Sequence, residues 1–156
     1  MIEITIPGFG LLKLDHLVSD FTGTLSVDGK LLPNIREKLT EVAKSLKIHV
    51  LTGDTFGTAE AELSRIPCKV HVMKGKDLDT QKEEYVKKLG AEEVVALGNG
   101  INDRKMLKLA RLGIVVTGGE GCAVESFLAA DIHVNDIKDA IDLLLNPKRL
   151  KATMRL

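Results

Sequence analysis

A chain of 156 residues, 44% of them hydrophobic, is long enough to bury one good core and too short for two ordinary domains. Lys plus Arg and Asp plus Glu both number 22, so no global field draws the molecule to nucleic acid or to an anionic membrane, and binding to either would need a local patch. No apolar run approaches the roughly 20 residues of a membrane span, Glu3 and Pro7 stand where a secretory leader puts its basic start and apolar core, and Cys68 and Cys122 lack both a CxxC spacing and a disulfide-rich context. The expectation is a cytoplasmic protein with reduced, buried thiols, no nucleic-acid partner and no membrane partner.

The N-terminal IEITI alternates apolar and polar residues, PGFG supplies a turn, and LLKLDHLVSD resumes the extended pattern. This predicts a hairpin over residues 2–14 leading into a strand that ends in the carboxylate of Asp20. Beyond TGTL, Asp28-Gly29 is a two-residue hairpin turn between extended flanks, so a small flap is expected at about 24–32. Asn34 is placed to cap a helix whose Ile35, Leu39, Val42, Ala43 and Leu46 share one face. KIHVLTGD reads as a second buried strand, Thr55 to Leu63 as a short helix and CKVHVM as a third strand. Asp79 or Thr80 opens an amphipathic helix with Tyr85, Val86 and Leu89 inward and Gly90 as its stop. EVVALGNG is a fourth strand with a glycine turn, Asp103 to Leu109 a helix, GIVV a fifth strand, Ala123 to Ala129 a helix and DIHV a sixth strand. The last helix, Ile137 to Leu145, is closed by Pro147, and a basic tail over 147–156 with Lys148, Arg149, Lys151 and Arg155 is expected to be disordered or docked on the surface.

Strand and helix alternate about five times, and right-handed crossovers then require a parallel sheet covered on both faces. The fold expected is α/β, a doubly wound parallel sheet in a single domain over 1–146. Its chemistry lies at the strand ends: Asp20; Thr52, Gly53 and Asp54; and Gly98, Asn99, Gly100, Asn102 and Asp103, with Lys74, Lys76 and Lys82 between the last two groups. Carboxylates, amides, a lysine and glycine turns suit a hard cation plus phosphate, because Mg²⁺ takes oxygen ligands and backbone N–H groups cradle the anion. A carboxylate there can also be a nucleophile. Structural roles compete with these: Thr52 and Asp54 can cap the next helix and Asn102 or Asp103 the one after, Lys74 and Lys76 read as solvated surface, and His16, His49, His71 and His133 lack metal-ligand spacing. Phe21, Phe56 and the Gly118–Gly121 loop are candidates for lining a substrate pocket.

In this order DFTGTL, VLTGD, a helix starting with Lys82, and GNGIND resemble the four motifs of the haloacid dehalogenase (HAD) superfamily. Within it they resemble the phosphorylation domain of P-type ATPases, whose motifs read DKTGT, TGD and GDGxND. The likeness runs from about Leu17 to Leu145 and implies a soluble, P-type ATPase-like, Mg²⁺-dependent phosphatase on a HAD-like Rossmannoid fold. Carried over position by position, it makes Asp20 the nucleophile and metal ligand, gives the Thr22 carbonyl a place on the metal, and lets Thr24 support the phosphate loop. Thr52 and the Gly53 N–H would hold phosphate oxygens, Lys82 would neutralise the nucleophile and the transferring group, and Asn102 would approach the phosphate. Asp103 would hold the metal, directly or through water, and orient Lys82. Asp54 lies toward the nucleotide in the pumps, and its role here stays open.

Two positions depart from the pattern. Thr22 stands where most HAD phosphatases have a second aspartate to protonate the leaving oxygen and later activate water, a loss that typically costs about 10²- to 10⁴-fold. Asn99 stands where GDGxND has a magnesium-binding aspartate, which leaves the metal site one negative charge short. The expectation is slow hydrolysis through phospho-Asp20; the alternative is a degenerate HAD scaffold with a regulatory or binding role, and a third is a structural subunit of an oligomer. The intervals from Leu25 to Leu51 and from Asp54 to Lys82 hold no room for a cap domain, so an open site is expected, suited to a phosphorylated small molecule or a phosphorylated macromolecule. The flap layout resembles the capless 3-deoxy-manno-octulosonate 8-phosphate phosphatases, which implies a homo-oligomer, with a tetramer favoured.

Overall fold

The computed structural model describes residues 1–156. An antiparallel hairpin, β1 (Ile2–Ile6) and β2 (Gly10–Leu14), pairs Ile2 with Leu14 and precedes β3 (His16–Ser19). The flap follows as β4 (Ser26–Val27) and β5 (Lys30–Leu31), joined at Asp28 and Gly29, whose φ angles of 52° and 75° are those of the hairpin turn that Asp-Gly favours. Then come α1 (Ile35–Val42), β6 (Lys47–Thr52), α2 (Ala59–Leu63), β7 (Cys68–Val72), α3 (Leu78–Leu89) and β8 (Val94–Gly98). The chain continues through α4 (Arg104–Leu109), β9 (Leu112–Val116), α5 (Val124–Ala129), β10 (Ile132–Val134), α6 (Ile137–Leu145) and α7 (Pro147–Met154). No helix is long and apolar enough to cross a membrane.

The six parallel strands run β10-β9-β8-β3-β6-β7, so the doubly wound α/β sheet expected from the alternation is the one observed. The chain winds outward from β3 through β6 to β7, returns to the other side of β3 as β8, and winds outward again. β3 therefore sits at the switch point, where the carboxyl ends of strands open a crevice for ligands. Every residue of β8 and β9 is buried, as parallel strands covered on both faces require. Successive side chains alternate between faces. Leu17, Val50 and Leu97 join α1, α6 and the hairpin in one core, while Val18, Leu51 and Ala96 pack with Val86, Met106 and Leu107 from α3 and α4. Between Leu25 and Leu51 lie only the flap and α1, and between Asp54 and Lys82 only α2, β7 and the start of α3, so no cap domain interrupts the fold.

Several local expectations are sharpened or corrected. Of the two alternatives for residues 147–156, the docked one is observed: Pro147 ends α6 and also occupies the first turn of α7, where its fixed φ and missing N–H are tolerated. Leu150 is buried under the hairpin and the Leu156 N–H donates to the Pro7 carbonyl, an apolar anchorage masked in sequence by the surrounding basic residues. Asn34 makes no capping bond and sits in the left-handed region at φ 67°. The helix expected from Thr55 begins at Ala59, and α3 is entered from Asp77 rather than from Asp79 or Thr80. Cys68 and Cys122 are unpaired and half-buried rather than buried.

The histidines form a chain of polar contacts: His16 Nδ1 to His49 Nε2 at 3.0 Å, His49 Nδ1 to Tyr85 Oη at 2.8 Å, and Tyr85 Oη to His71 Nε2 at 2.7 Å. This line ties β3, β6 and β7 to α3. Burial, followed by the nearby His16 and Lys69, pushes the His49 imidazole down from 6.5 to about 4. A depressed folded-state value means that its contribution to stability is intact above about 6.5 and is lost as pH falls toward 4. Replacing His49 with Gln removes the titration, so the difference in urea-unfolding free energy between wild type and His49→Gln shifts by about 2 kcal/mol between pH 7 and pH 4, against the wild type.

Candidate active site

Asp20 follows the last residue of β3 and is only 6% exposed. Its N–H donates to the Leu97 carbonyl at 3.0 Å, extending the β3–β8 pairing by one residue. The chain then turns sharply. The N–H groups of Thr24, Leu25 and Ser26 all converge on the Phe21 carbonyl at 3.0–3.2 Å, and the Ser26 hydroxyl adds a fourth donor at 2.9 Å. The loop after Asp20 is thus fixed by its own backbone, as a site for a small anion needs to be.

Lys82 reaches this loop from the first half of α3 and is completely buried. Its Nζ donates to Asp20 Oδ1 at 3.0 Å, Asp103 Oδ1 at 2.7 Å and Asn102 Oδ1 at 3.0 Å, which uses all three ammonium protons. Asp103 is held in turn, its Oδ2 accepting the N–H groups of Asn99 and Gly100, each at 3.0 Å. Gly98 makes this possible: a Cβ there would lie 2.6 Å from the Asp103 side chain. Thr24 Oγ1 lies 3.0 Å from Asn99 Oδ1 and 3.5 Å from Asp20 Oδ2, and Asn99 Nδ2 donates to the Gly121 carbonyl at 3.1 Å. Asp20, Thr24, Lys82, Asn99, Asn102 and Asp103, drawn from three separated segments, are therefore one bonded cluster.

Its electrostatics are unbalanced. Burial, reinforced by the charge of Asp103 and opposed by Lys82, pushes the Asp20 carboxyl up from 3.8 to about 7. Burial alone would lower Lys82, but Asp103 and Asp20 outweigh it and hold the ammonium above its ordinary value. With Asp20 ionised, one cation between two carboxylates leaves a net negative charge in a largely buried site, and a second cation would relieve it.

The donors suit a hard divalent cation. The groups that the resemblance assigns to it, the Asp20 carboxylate, the Thr22 backbone carbonyl and the Asn99 amide oxygen, are all hard oxygen donors, and Asn99 Oδ1 keeps one lone pair after accepting from Thr24. Only one of the three is charged. Both oxygens of Asp103 are engaged by Lys82 and by backbone N–H groups, and no three His, Cys, Asp or Glu side chains gather as a metal centre. The set fits Mg²⁺ with several retained waters, weakly bound.

The remaining positions lie around this cluster. Thr22 carries a buried Oγ1 with no hydrogen-bond partner. Thr52 is buried at the end of β6 and its hydroxyl accepts the Asp54 N–H at 2.9 Å. Gly53 backs onto Leu78, 3.1 Å from the position a Cβ would take. Asp54 caps α2, Oδ1 accepting the N–H groups of Thr58 and Ala59 at 3.0 Å each.

The flap is tied down on both sides: Val27 lies against Gly119, the Asp28 N–H donates to Glu120 at 3.2 Å, the Gly29 carbonyl accepts from the Thr58 hydroxyl, and the Leu31 N–H donates to Glu62 at 2.9 Å. The largest cavity, about 810 Å³, opens at the opposite edge of the sheet beside His16, His49 and Cys68 and touches none of the cluster. Sequence reasoning missed the Gly121 carbonyl as the holder of Asn99, since a backbone acceptor leaves no residue-type signal.

No family profile matches the chain. It is 52% identical over 73 residues to the uncharacterized protein MJ0073 of Methanocaldococcus jannaschii, covering 47% of this chain and 78% of that one. It is 35% identical over 133 residues to the copper-transporting ATPase HMA5 of Oryza sativa subsp. japonica; the match covers 80% of this chain but 13% of that pump. Among solved structures it superposes on the 3-deoxy-D-manno-octulosonate 8-phosphate phosphatase of Moraxella catarrhalis with TM-score 0.66 and 19% identity, over 91% of this chain and 94% of that one. It also superposes on the catalytic domain of the CPx-ATPase CopB-B with TM-score 0.60 and 25% identity, over 74% of this chain and 46% of that one. With its sheet order, its four motifs and these likenesses to P-type ATPases, the chain belongs to the haloacid dehalogenase superfamily.

Proposed function

We propose that the protein is a phosphatase that hydrolyses phosphate monoesters through a phospho-Asp20 intermediate. The observation that carries this reading is the single ammonium of Lys82, which touches Asp20, Asn102 and Asp103 together at the switch point of the sheet. An Asp20 oxygen attacks phosphorus, the P–O bond to the leaving group breaks, and Lys82 and Asn102 face the negative charge on the transferring oxygens. The departing alkoxide takes its proton from solvent, because the Thr22 hydroxyl is no acid near neutral pH. Water then attacks the acyl phosphate, releasing inorganic phosphate and the Asp20 carboxylate. Asp20, the Thr22 carbonyl and Asn99 would hold Mg²⁺, with Asp103 acting through water; bound there, the ion supplies positive charge for the phosphoryl oxygens. The M. catarrhalis phosphatase structure contains a magnesium ion and a phosphate ion, which supports the same pairing here.

The test is p-nitrophenyl phosphate with and without millimolar Mg²⁺. Slow, Mg²⁺-stimulated hydrolysis that disappears in Asp20→Asn is the expected result; equal rates in wild type and Asp20→Asn reject the reading. Failure of Mg²⁺ to bind at millimolar concentration would favour a regulatory role on the same scaffold, the reading motivated by Asn99 and Thr22.

Asp20→Asn also has an expected effect on stability. A carboxyl raised to about 7 contributes stability when protonated, and that contribution is lost as pH rises through 7. At pH 8 in chelator the wild type carries the full cost of a buried, ionised Asp20, which the amide removes. Asp20→Asn is therefore more stable by about 2 kcal/mol at pH 8, a rise in Tm of about 5 °C, and the gain vanishes at pH 4.

A further inference from the structure

Lys82 serves three acceptors 2.7–3.0 Å away from a fully buried side chain, so α3 has little freedom to slide or turn against the sheet. The helix is held on two flanks. Toward α4, Asp79 pairs with Arg104 and Lys105, each at 3.0 Å, and Lys105 also donates to the Thr80 hydroxyl at 3.0 Å. Toward β6 and β7 its hydrogen-bonded tie is Tyr85, one helical turn beyond Lys82 and on the same side of α3.

His49 and His71 face α3 from neighbouring strands. The β6–β7 register sets Leu51 against His71, and His49 alternates with Leu51's neighbours, so both imidazoles stand on the face where Leu51 packs with Val86. The Tyr85 hydroxyl sits between them, 2.8 Å from His49 Nδ1 and 2.7 Å from His71 Nε2. It has one proton, so it donates to one ring and accepts from the other. His16 Nε2 lies 3.8 Å from the Asp15 carboxylate, which favours a proton on that nitrogen and leaves Nδ1 to accept from His49 Nε2–H. In this assignment Tyr85 donates to His49 Nδ1 and accepts from His71 Nε2–H, and the line is paired throughout with every ring neutral.

The line closes a frame around the reacting groups. His16 lies four residues before Asp20 at the start of β3, and Tyr85 three residues after Lys82 on α3. Asp20 and Lys82 meet at one end of the frame, and His16 and Tyr85 are joined through His49 at the other. We infer that Tyr85 is a positioning residue for phosphoryl transfer, its hydroxyl fixing α3 against β6 and β7 so that the Lys82 ammonium stays between Asp20 and Asp103. This rests on the phosphatase reading and adds to it a residue outside the bonded cluster.

Tyr85→Phe keeps the ring and removes only the oxygen, which leaves the buried His49 and the facing His71 without their shared partner. The control is Leu150→Ala, which lowers Tm by loosening α7 in the other core, away from α3. Both variants are compared with wild type at equal distances below their Tm. In protein labelled with ¹⁵N-lysine, proton exchange of the Lys82 ammonium is expected to quicken about tenfold in Tyr85→Phe and to stay within about twofold in Leu150→Ala. With p-nitrophenyl phosphate and Mg²⁺, Tyr85→Phe is expected to lower kcat about tenfold with KM within about twofold, while Leu150→Ala keeps the wild-type kcat. An unchanged ammonium signal, an unchanged kcat in an active enzyme, or losses matched by Leu150→Ala overturn the inference. If the ammonium signal changes in Tyr85→Phe alone while wild type fails to hydrolyse p-nitrophenyl phosphate, the placement of Lys82 by Tyr85 stands and the phosphatase reading falls.

Discussion

Replacing Lys82 with methionine lowers the unfolding free energy by about 3–5 kcal/mol at pH 8 and abolishes phosphoryl transfer. Methionine matches the stem of lysine in length but leaves Asp20 and Asp103 in a buried site with no cation between them. The Coulomb term that opposed the upward shift of Asp20 is removed, so its carboxyl moves above the value of about 7 that it has beside Lys82. The cost therefore depends on pH: it is largest above pH 7, where Asp20 must ionise, and shrinks by pH 5, where it holds its proton. Thermal unfolding at the two pH values reads this directly, with a drop in Tm of about 10 °C expected at pH 8. A variant equally stable at both would show that the ammonium neutralises nothing. On activity, losing a charge aimed at the transferring group costs at least about 10²- to 10³-fold.

The second large effect concerns Thr22→Asp. If the wild type passes through phospho-Asp20 without a general acid and base, the acyl phosphate persists and acid quenching traps it. An aspartate at this position replaces a hydroxyl that is buried and unpartnered, so no existing hydrogen bond is lost. Hydrolysis is expected to accelerate by about 10²- to 10⁴-fold, with a matching fall in trapped phosphoenzyme. Stability is expected to fall by about 1–2 kcal/mol, since a third carboxylate joins two that already repel. Unchanged turnover would place the limiting step elsewhere, in metal binding at the singly charged donor set or in substrate choice; a rise in added Mg²⁺ would then restore rate where the substitution does not.

What sequence could reveal follows from how local each feature is. Asp20, Lys82 and Asp103 were legible because each belongs to a short motif whose residue types the chemistry demands, and the sheet was legible because apolar runs and helical spacings alternate cleanly. The flap turn was legible too, since Asp28-Gly29 states its own geometry. The anchoring of the flap was not: Glu120, Thr58 and Glu62 hold it through backbone groups, and no residue type announces which main-chain atom will be its partner. The same limit hid the histidine line, in which Tyr85 sits between His49 and His71 only because α3 packs across β6 and β7. Helix α7 was hidden by composition, its basic residues outweighing the two apolar positions, Leu150 and Met154, that dock it.

The three charges at the centre come from positions 20, 82 and 103, which are far apart along the chain and meet only when β3, β8 and α3 are all in place. Bringing them together is a long-range event, because Asp20 lies 62 residues from the ammonium that steadies it. The assembled charge cluster is thereby linked to completion of the fold, and a molecule caught halfway through folding has its Asp20 carboxylate in water with ordinary acidity.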